Sequence, residues 1–255
     1  MNNSASYASL RGRRVFVTGG GSGIGESIVA AFAAQGALVA FVDIQSDASL
    51  ALCERIGAAG HPEPLFRHCD ITDIAALQAT MAELSARIGD FDVLVNNAGN
   101  DHRHEIETVT QQEWDRCIAI NQRPMFFTSQ AVAPGMKRNG GGSIINLSSV
   151  SWRVKGGGYP VYVTTKAAVV GLTRSLARDL GAHGIRVNTV TPGWVMTQRQ
   201  VDLWVSDEDR AEMARTHCLP GELLPHHVAS MVLFLAADDS AMCTGHDYVV
   251  DAGWT

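Results

Sequence analysis

Tyr162 and Lys166 stand four residues apart, with Ser149 thirteen residues upstream. Side chains at i and i+4 project from one face of a helix, and the apolar residues of 167–180 recur at helical spacing. An ammonium about 4 Å from a phenol favours the phenolate by roughly 4 kcal/mol at an effective dielectric constant of about 20. The spacing therefore predicts a phenol with a lowered pKa that exchanges a proton with a carbonyl or alcohol oxygen near Ser149. The same pair also occurs on solvated helix faces, so other motifs must decide.

The composition is that of an ordinary globular protein. The chain has 255 residues and a net charge of −6, and a chain of this length can bury a core without disulfides or metal. Lys and Arg form no dense cluster, which argues against nucleic acid and membrane partners. The five cysteines are scattered and lack CxxC spacing, which favours a reducing cytoplasm and no metal site.

The first ten residues do not show the pattern of a secretion signal. Residues 1–10 are polar, without a basic segment followed by an apolar one, and no apolar run approaches eighteen residues. We expect a flexible tail at 1–10, a single dinucleotide-binding catalytic domain at 11–255, and a protein that neither is secreted nor spans a membrane.

Short apolar segments alternate with helical patterns along the chain. Strands that are apolar on both faces and separated by helices predict a doubly wound α/β domain, with a parallel sheet and right-handed crossovers. A Thr110–Glu113 capping box opens the third long helix. The segment 194–221 interrupts the alternation and is typical of a substrate flap. Predicted strands are 14–18, 38–42, 65–69, 93–95, 143–147, 186–190 and 247–250; predicted helices are 25–35, 48–56, 74–88, 111–137, 161–182 and 226–236.

A glycine-rich loop, TGGGSGIG at 18–25, follows the first predicted strand and opens a helix. Glycines allow a backbone to approach a pyrophosphate, which then lies on the helix N-terminus. The spacing is GxxxGxG and fits no GxGxxG register. A turn without a ligand is the alternative, but the order of strand, loop, helix and acid favours cofactor binding.

Polar residues end the next three strands. Asp43 closes the second strand about twenty residues after the loop, where a carboxylate accepts hydrogen bonds from ribose hydroxyls and repels a 2′-phosphate. This favours NAD over NADP, unless Asp43 is only a turn residue. Asp70 and Ile71 follow the third strand and Asn96 to Gly99 the fourth, at the sheet edge where such folds bind ligands. Asp70 could also be the acid that starts the next helix, and Asn97 an amide that braces neighbouring strands.

These motifs together with Asn121 and Pro192-Gly193 resemble the classical short-chain dehydrogenase/reductase family over nearly the whole chain. The resemblance implies a seven-stranded Rossmann-like sheet, a nicotinamide cofactor, and a homotetramer joined through 111–137 and 161–182. It implies a catalytic tetrad in which Tyr162 is the general base, Ser149 binds the reacting oxygen, Lys166 binds the nicotinamide ribose and Asn121 holds a water that links Lys166 to solvent. The cofactor residues so implied are Gly19, Ser22, Gly23, Ile24, Gly25, Asp43, Asp70, Ile71, Asn97, Ala98, Gly99, Tyr162, Lys166, Pro192, Gly193, Val195 and Thr197.

Residues expected at the pocket mouth are hydrogen-bonding groups beside indoles, a mixture that suits a polyhydroxylated ligand. Segments 97–104 (NAGNDHRH), 151–152, 218–220 and 243–254 resemble bacterial aldose 1-dehydrogenases. That resemblance implies oxidation of the anomeric hydroxyl of a monosaccharide such as L-arabinose, D-xylose, D-galactose or L-fucose. Each residue could instead face water or a neighbouring subunit. The predicted substrate residues are Asn100, Asp101, Ser149, Trp152, Tyr162, Gln198, Arg199 and Trp254.

Two alternatives remain open from the sequence. One is a 3-oxoacyl or general ketone reductase, which NADPH preference and activity on bulky ketones would favour. The other is a cofactor-binding sensor or scaffold without catalysis. A sensor has no need of a proton relay, so Ser149, Tyr162 and Lys166 argue against it.

Overall fold

The structure is a computed structural model that describes residues 5–255. Its seven strands form one parallel sheet in the order β3-β2-β1-β4-β5-β6-β7, which confirms the predicted fold. The strands are β1 (Arg14–Thr18), β2 (Leu38–Asp43), β3 (Leu65–His68), β4 (Val93–Asn96), β5 (Gly142–Leu147), β6 (Ile185–Pro192) and β7 (Asp247–Val250).

The helices connect the strands and cover the sheet. They are α1 (Gly23–Ala34), α2 (Ser46–Ala58), α3 (Ile74–Ile88), α4 (Gln111–Asn121), α5 (Arg123–Arg138), α6 (Pro160–Leu180), α7 (Gln198–Leu203), α8 (Asp207–Thr216) and α9 (Pro225–Ala236). Short 3-10 turns lie at Ala8–Leu10, Val150–Trp152, Gly181–His183 and Asp238–Ser240.

Alternating residues of the strands pack into two hydrophobic cores, one on each face of the sheet. On one side Val15, Val17 and Phe41 pack with α1 and α9; on the other Phe16 and Leu94 pack with α3, α5 and α6. Each buried Val, Leu or Phe side chain contributes about 1.5–3 kcal/mol relative to an exposed one. Burial on both faces makes these strands near-continuously apolar, the pattern that predicted the parallel sheet.

The single helix predicted for 111–137 is wrong. It is two helices, because the backbone at Gln122 leaves helical geometry (φ −131°, ψ −54°) and Pro124 stands in the first turn of α5. Proline lacks an N–H and is best tolerated in the first turn of a helix. The capping box predicted at Thr110 and Glu113 is present at the start of α4.

The flexible tail predicted for 1–10 extends too far. Its residues 1–4 lie outside the described part, but the Tyr7 amide donates to Gln35 Oε1 at 2.8 Å, and Leu10 is fully buried in the α1 core. Apolar contacts that polar composition does not reveal therefore hold the segment from Tyr7 onward.

Candidate active site

The glycine loop between β1 and α1 is a close-packed turn. The amides of Gly19 and Gly20 donate to the Val42 carbonyl at 2.8 and 3.3 Å. A Cβ on Gly20 would lie 2.5 Å from the Phe41 ring, and one on Gly25 would overlap the Gly19 carbonyl oxygen. Because side chains are excluded there, the loop backbone lies open at the N-terminus of α1, the arrangement that binds a pyrophosphate.

Asp43 joins the glycine loop to the end of β2. The residue is buried; its Oδ2 accepts from the Gly21 amide at 2.8 Å and its Oδ1 from the Gln45 amide at 2.9 Å. The Gln45 side chain in turn donates to Ser22 Oγ at 3.0 Å. Asp43 is thus more than a strand-end turn residue, because its carboxylate fixes the loop and lines the cavity beside it.

Asp70 and Asn97 each hold their own part of the sheet edge. Asp70 Oδ1 accepts from the Thr72 amide and hydroxyl at 2.9 and 2.8 Å, and these bonds lower the pKa of Asp70. The cap of α3 is Asp73, so Asp70 does not start that helix. Asn97 Nδ2 donates to the carbonyls of Thr18 and Gly19 at 3.1 and 2.8 Å, which confirms its bracing role.

The Tyr–Lys pair lies on one face of α6, as its spacing predicts. Lys166 Nζ lies 5.6 Å from the centre of the Tyr162 ring and donates to the Leu147 carbonyl at 3.0 Å. The Ser148 hydroxyl donates to the Lys166 carbonyl at 2.7 Å. The end of β5 therefore positions Ser149 in the cavity wall and also binds the ammonium of Lys166.

The protonation of this pair differs from the prediction. Burial raises the pKa of Tyr162, the Asp101 carboxylate raises it further, and a hydrogen bond with Ser149 lowers it. Burial also lowers the pKa of Lys166 to about 8. The attraction between the phenolate and the ammonium, taken alone, predicts a lowered pKa for Tyr162. Burial disfavours the charged form of each group, and this desolvation outweighs the attraction in the protein.

Asn121 lies behind the cavity at the end of α4. Its Oδ1 accepts from the Asn100 amide at 2.8 Å, and its Nδ2 donates to the carbonyls of Asn100 and Cys117 at 3.0 and 3.2 Å. A Cβ on Gly99 would lie 3.0 Å from Asn121 Oδ1 and 3.3 Å from Lys166 Nζ. The structure thus assigns Asn121 a loop-holding role, and its link to Lys166 through water stays a prediction.

One cavity of about 1130 Å³ brings the predicted residues together. Every predicted cofactor residue lines it, as do Ser149 and all but one of the predicted substrate residues, namely Asn100, Asp101, Tyr162, Gln198, Arg199 and Trp254.

Trp152 is the exception among the described residues that were predicted to touch substrate. Its ring lies under the Arg153 guanidinium, 4.8 Å from the ring centre, and Arg153 is tied to Asp247 at 2.6 Å. The 3-10 turn after Ser149 carries the indole away from the cavity. The prediction that Trp152 contacts substrate is therefore wrong, because closeness to Ser149 in the sequence does not place its side chain in the cavity.

The flap reaches the loop that follows β4 through groups that sequence reasoning partly missed. Asp101 Oδ1 is 3.1 Å from Arg199 Nη1, and Asp101 Oδ2 accepts from Gln200 Nε2 at 2.7 Å. Gln200 Oε1 also accepts from the Trp194 indole at 2.9 Å.

A second contact between loop and flap is made by Arg103. Its guanidinium lies 4.8 Å from the ring centres of both Tyr159 and Trp204. No spacing signal points to Gln200 or Arg103, since their partners are distant in the chain.

The geometry fits a dinucleotide cofactor. A glycine cradle that a Cβ would fill stands beside an acid at the end of β2, and the hydroxyl, phenol and ammonium of Ser149, Tyr162 and Lys166 line the same cavity. Within residues 5–255, His, Cys, Asp and Glu side chains form no cluster of three that could hold a metal ion. No helix in that range combines the length and apolar character needed to cross a bilayer.

A family model described as enoyl-(acyl carrier protein) reductase matches residues 19–255. The chain belongs to the short-chain dehydrogenase/reductase family. Members of this oxidoreductase family bind nicotinamide cofactors, and a solved relative, 7 alpha-hydroxysteroid dehydrogenase in complex with NADH, superposes with a TM-score of 0.91 at 31% identity over 96% of each chain.

Curated short-chain dehydrogenase relatives include sugar enzymes. D-xylose 1-dehydrogenase of Caulobacter vibrioides is 49% identical over 99% of each chain. A probable galactose dehydrogenase of Rhizobium meliloti is 46% identical over 98% of each chain. The chain is thus a dehydrogenase that acts on a small molecule.

Proposed function

We propose that this short-chain dehydrogenase oxidises the anomeric hydroxyl of an aldose of the L-arabinose, D-xylose, D-galactose or L-fucose type to a lactone, with NAD as the hydride acceptor. The observation that carries the proposal is full-length identity of 46–49% to a xylose and a galactose dehydrogenase. The cavity wall supports it, because Asn100, Asp101 and Gln198 offer acceptors and donors for hydroxyl groups beside Tyr162.

The proposed chemistry divides between cofactor and protein. A bound nicotinamide supplies the acceptor for the hydride from the anomeric carbon. Ser149 binds the reacting hydroxyl and Tyr162 takes its proton as general base, so that the C–O bond becomes a carbonyl. Lys166 holds the nicotinamide ribose and stabilises the phenolate, and Asn121 supports the relay that returns the proton to solvent.

NAD is proposed over NADP because of Asp43. A 2′-phosphate on the adenosine ribose would meet this buried carboxylate, and no Lys or Arg adjoins Asp43 in the chain. The remaining cofactor contacts are proposed to come from the cavity residues around the glycine loop, Asp70, the Asn97–Gly99 turn, and Pro192 to Thr197.

One observation favours a second function. A 3-oxoacyl-[acyl-carrier protein] reductase from Brucella melitensis superposes with a TM-score of 0.90 at 30% identity over 98% of this chain and 94% of the other. A ketone reductase of that type would act on bulky acyl substrates. The identity is lower than that to the sugar enzymes, so we rank this function second.

A screen of aldoses and polyols against NAD and NADP, read as NADH absorbance at 340 nm, tests the proposal. We expect turnover with one or more of the four sugars and NAD, and a lactone product. Activity confined to acyl thioesters or bulky ketones with NADPH would replace it by the second function. Binding of NAD without turnover of any substrate would favour a sensor.

We also propose a cytoplasmic homotetramer with one catalytic domain spanning 11–255. The exposed Trp114 and Phe126 on α4 and α5 are apolar groups that an interface through these helices and α6 would cover. Size-exclusion chromatography with light scattering measures the assembly directly.

A further inference from the structure

Asp101 occupies a distinctive position in the cavity wall. It lies two residues after Gly99, and its neighbour Asn100 is fixed through both backbone groups by Asn121. Its side chain keeps 20% of its surface exposed; Gln200 donates to Oδ2, whereas Oδ1 lies 3.1 Å from Arg199 Nη1 and accepts no hydrogen bond from the described residues. A carboxylate offers about four lone-pair positions, so capacity remains for hydroxyl donors from a molecule in the cavity.

The Asp101 carboxylate also acts on the proton-transfer pair. Its negative charge adds to the rise that burial causes in the pKa of Tyr162, and it offsets part of the lowering that burial causes in the pKa of Lys166. The other titratable groups around the phenol are Tyr159, Cys117 and Lys166. Arg199 is the cation paired with Asp101, and Arg103, Arg116 and Asp209 line the same cavity. A negative charge here opposes formation of the phenolate that oxidation needs.

We infer that Asp101 is a specificity-determining residue that accepts a hydrogen bond from the hydroxyl adjacent to the reacting hydroxyl of the substrate, with Arg199 and Gln200 as the positioning residues that hold its carboxylate. The inference rests on the proposed function where that hydroxyl is O2 of an aldose. A donated hydrogen bond draws charge from the carboxylate, so a vicinal diol offsets the electrostatic cost that Asp101 imposes on Tyr162. A simple alcohol leaves this cost in place.

The contacts that Asp101 makes with the flap control how strongly its charge acts on Tyr162. Arg199 and Gln200 belong to α7, whereas Asp101 belongs to the loop after β4, 99 residues away from Gln200. The ion pair neutralises part of the Asp101 charge near the phenol. Loss of Arg199 should therefore make the effect of Asp101 on Tyr162 stronger, while Gln200 still donates to the carboxylate.

Paired substrates test the inference. We compare kcat/KM for D-galactose and 2-deoxy-D-galactose, and for cis-1,2-cyclohexanediol and cyclohexanol, at saturating NAD. We expect the wild-type protein to prefer the vicinal diol of a pair by about ten- to hundredfold, the size of a hydrogen bond to a charged group. In Asp101→Ala that preference should fall to about twofold or less. A preference that survives in Asp101→Ala would overturn the assignment.

Charge variants add a readout that a merely structural role would not move. Asp101→Asn keeps an acceptor but removes the charge, so the acid limb of the pH profile of kcat/KM should move to lower pH while part of the diol preference remains. Arg199→Gln should move the limb to higher pH. An unmoved limb in both variants would contradict the proposed electrostatic role.

Two comparisons separate the possible failures. Asp207→Asn removes an exposed charge from the flap, in the first turn of α8 and outside the cavity lining; it should change neither the diol preference nor the acid limb of the pH profile. If the wild-type protein oxidises cyclohexanediol but no aldose, the proposed function fails and the second pair still decides the role of Asp101. Equal kcat/KM within both pairs for the wild type overturns the inference. Arg199→Gln carries the test if Asp101→Ala does not fold.

Discussion

Lys166 Nζ donates to the Leu147 carbonyl at 3.0 Å while lying 5.6 Å from the centre of the Tyr162 ring. One end of β5 thus fixes the ammonium that faces the phenol. The lysine is 3% exposed, and burial shifts both partners toward their neutral forms. At neutral pH the pair is therefore a neutral phenol beside an ammonium with a lowered pKa, and oxidation of an alcohol requires the phenol to lose its proton.

Tyr162→Phe should lower kcat by about a thousandfold, since it removes the group that exchanges the proton. The affinity for NADH, measured by fluorescence titration, should remain near the wild-type value because phenylalanine keeps the aromatic ring at this position of α6. Tyr159→Phe is the matched control: its ring centre is 5.8 Å from that of Tyr162, and it should retain most activity. Near-normal turnover of Tyr162→Phe would refute Tyr162 as the base.

The buried ammonium should make stability depend on pH. The pKa of Lys166 is about 8 in the folded protein against 10.5 ordinarily, so between these values the unfolded chain binds more protons and stability rises with pH. The stability of the Lys166→Met variant should not show this rise with pH. Below pH 8 the wild type should bear a cost of about 3 kcal/mol that disappears by about pH 10.5.

Urea unfolding of the wild type and of Lys166→Met, at one protein concentration and several pH values, measures how the difference in their free energies of unfolding changes with pH. Lys137→Met, an exposed lysine on α5, is the control and should track the wild type. A wild-type to Lys166→Met difference that stays constant from pH 7.5 to pH 10 would contradict a lowered lysine pKa.

Asp43→Asn should reduce the preference for NAD over NADP by about tenfold or more, because it removes the charge that repels a 2′-phosphate. The amide oxygen can still accept from the Gly21 amide, so the loop should survive. The ratio of kcat/KM for the two cofactors is the measurement. Asp47→Asn, exposed in the first turn of α2, should leave the ratio unchanged; an unchanged ratio in Asp43→Asn would remove Asp43 from cofactor selection.

Gly25→Ala should abolish NAD binding and lower the melting temperature, since the added Cβ would overlap the Gly19 carbonyl oxygen. Gly181→Ala is its control: a Cβ there meets nothing within 4 Å, and the backbone is helical with φ −59°. We expect unchanged cofactor binding and stability equal to the wild type or up to about 1 kcal/mol higher. Normal NAD affinity of Gly25→Ala would show that the loop tolerates a side chain.

Much of the fold could be predicted because buried parallel strands are apolar on both faces. The bounds of β1 (Arg14–Thr18) and β7 (Asp247–Val250) match the prediction, as do those of α3 (Ile74–Ile88). Hydrophobic periodicity continues through the break at Gln122, however, so the pattern alone does not separate α4 from α5. The backbone angles at that residue depend on tertiary packing.

The cofactor part of the cavity could also be predicted, because it follows the chain in short motifs at strand ends. All predicted substrate residues except Trp152 line the same cavity, but the contacts of Gln200 and Arg103 could not be predicted, since they join distant segments. Asn96, Asn146 and Thr173 show the same limit inside the core: Asn96 donates to Asn146 at 2.9 Å, and Asn146 donates to Thr173 at 3.0 Å. Three elements must assemble before these polar side chains are satisfied.

The loop that follows β4 makes four separate contacts around the cavity within seven residues. Asn97 holds the glycine loop, Asn100 meets Asn121, Asp101 meets the flap, and Arg103 lies between Tyr159 and Trp204. An insertion or deletion here would shift all four attachments out of register at once. Divergence toward new substrates should therefore proceed by exchange of side chains at fixed loop length, and libraries that vary 100–103 without altering length are the practical route to altered substrate choice.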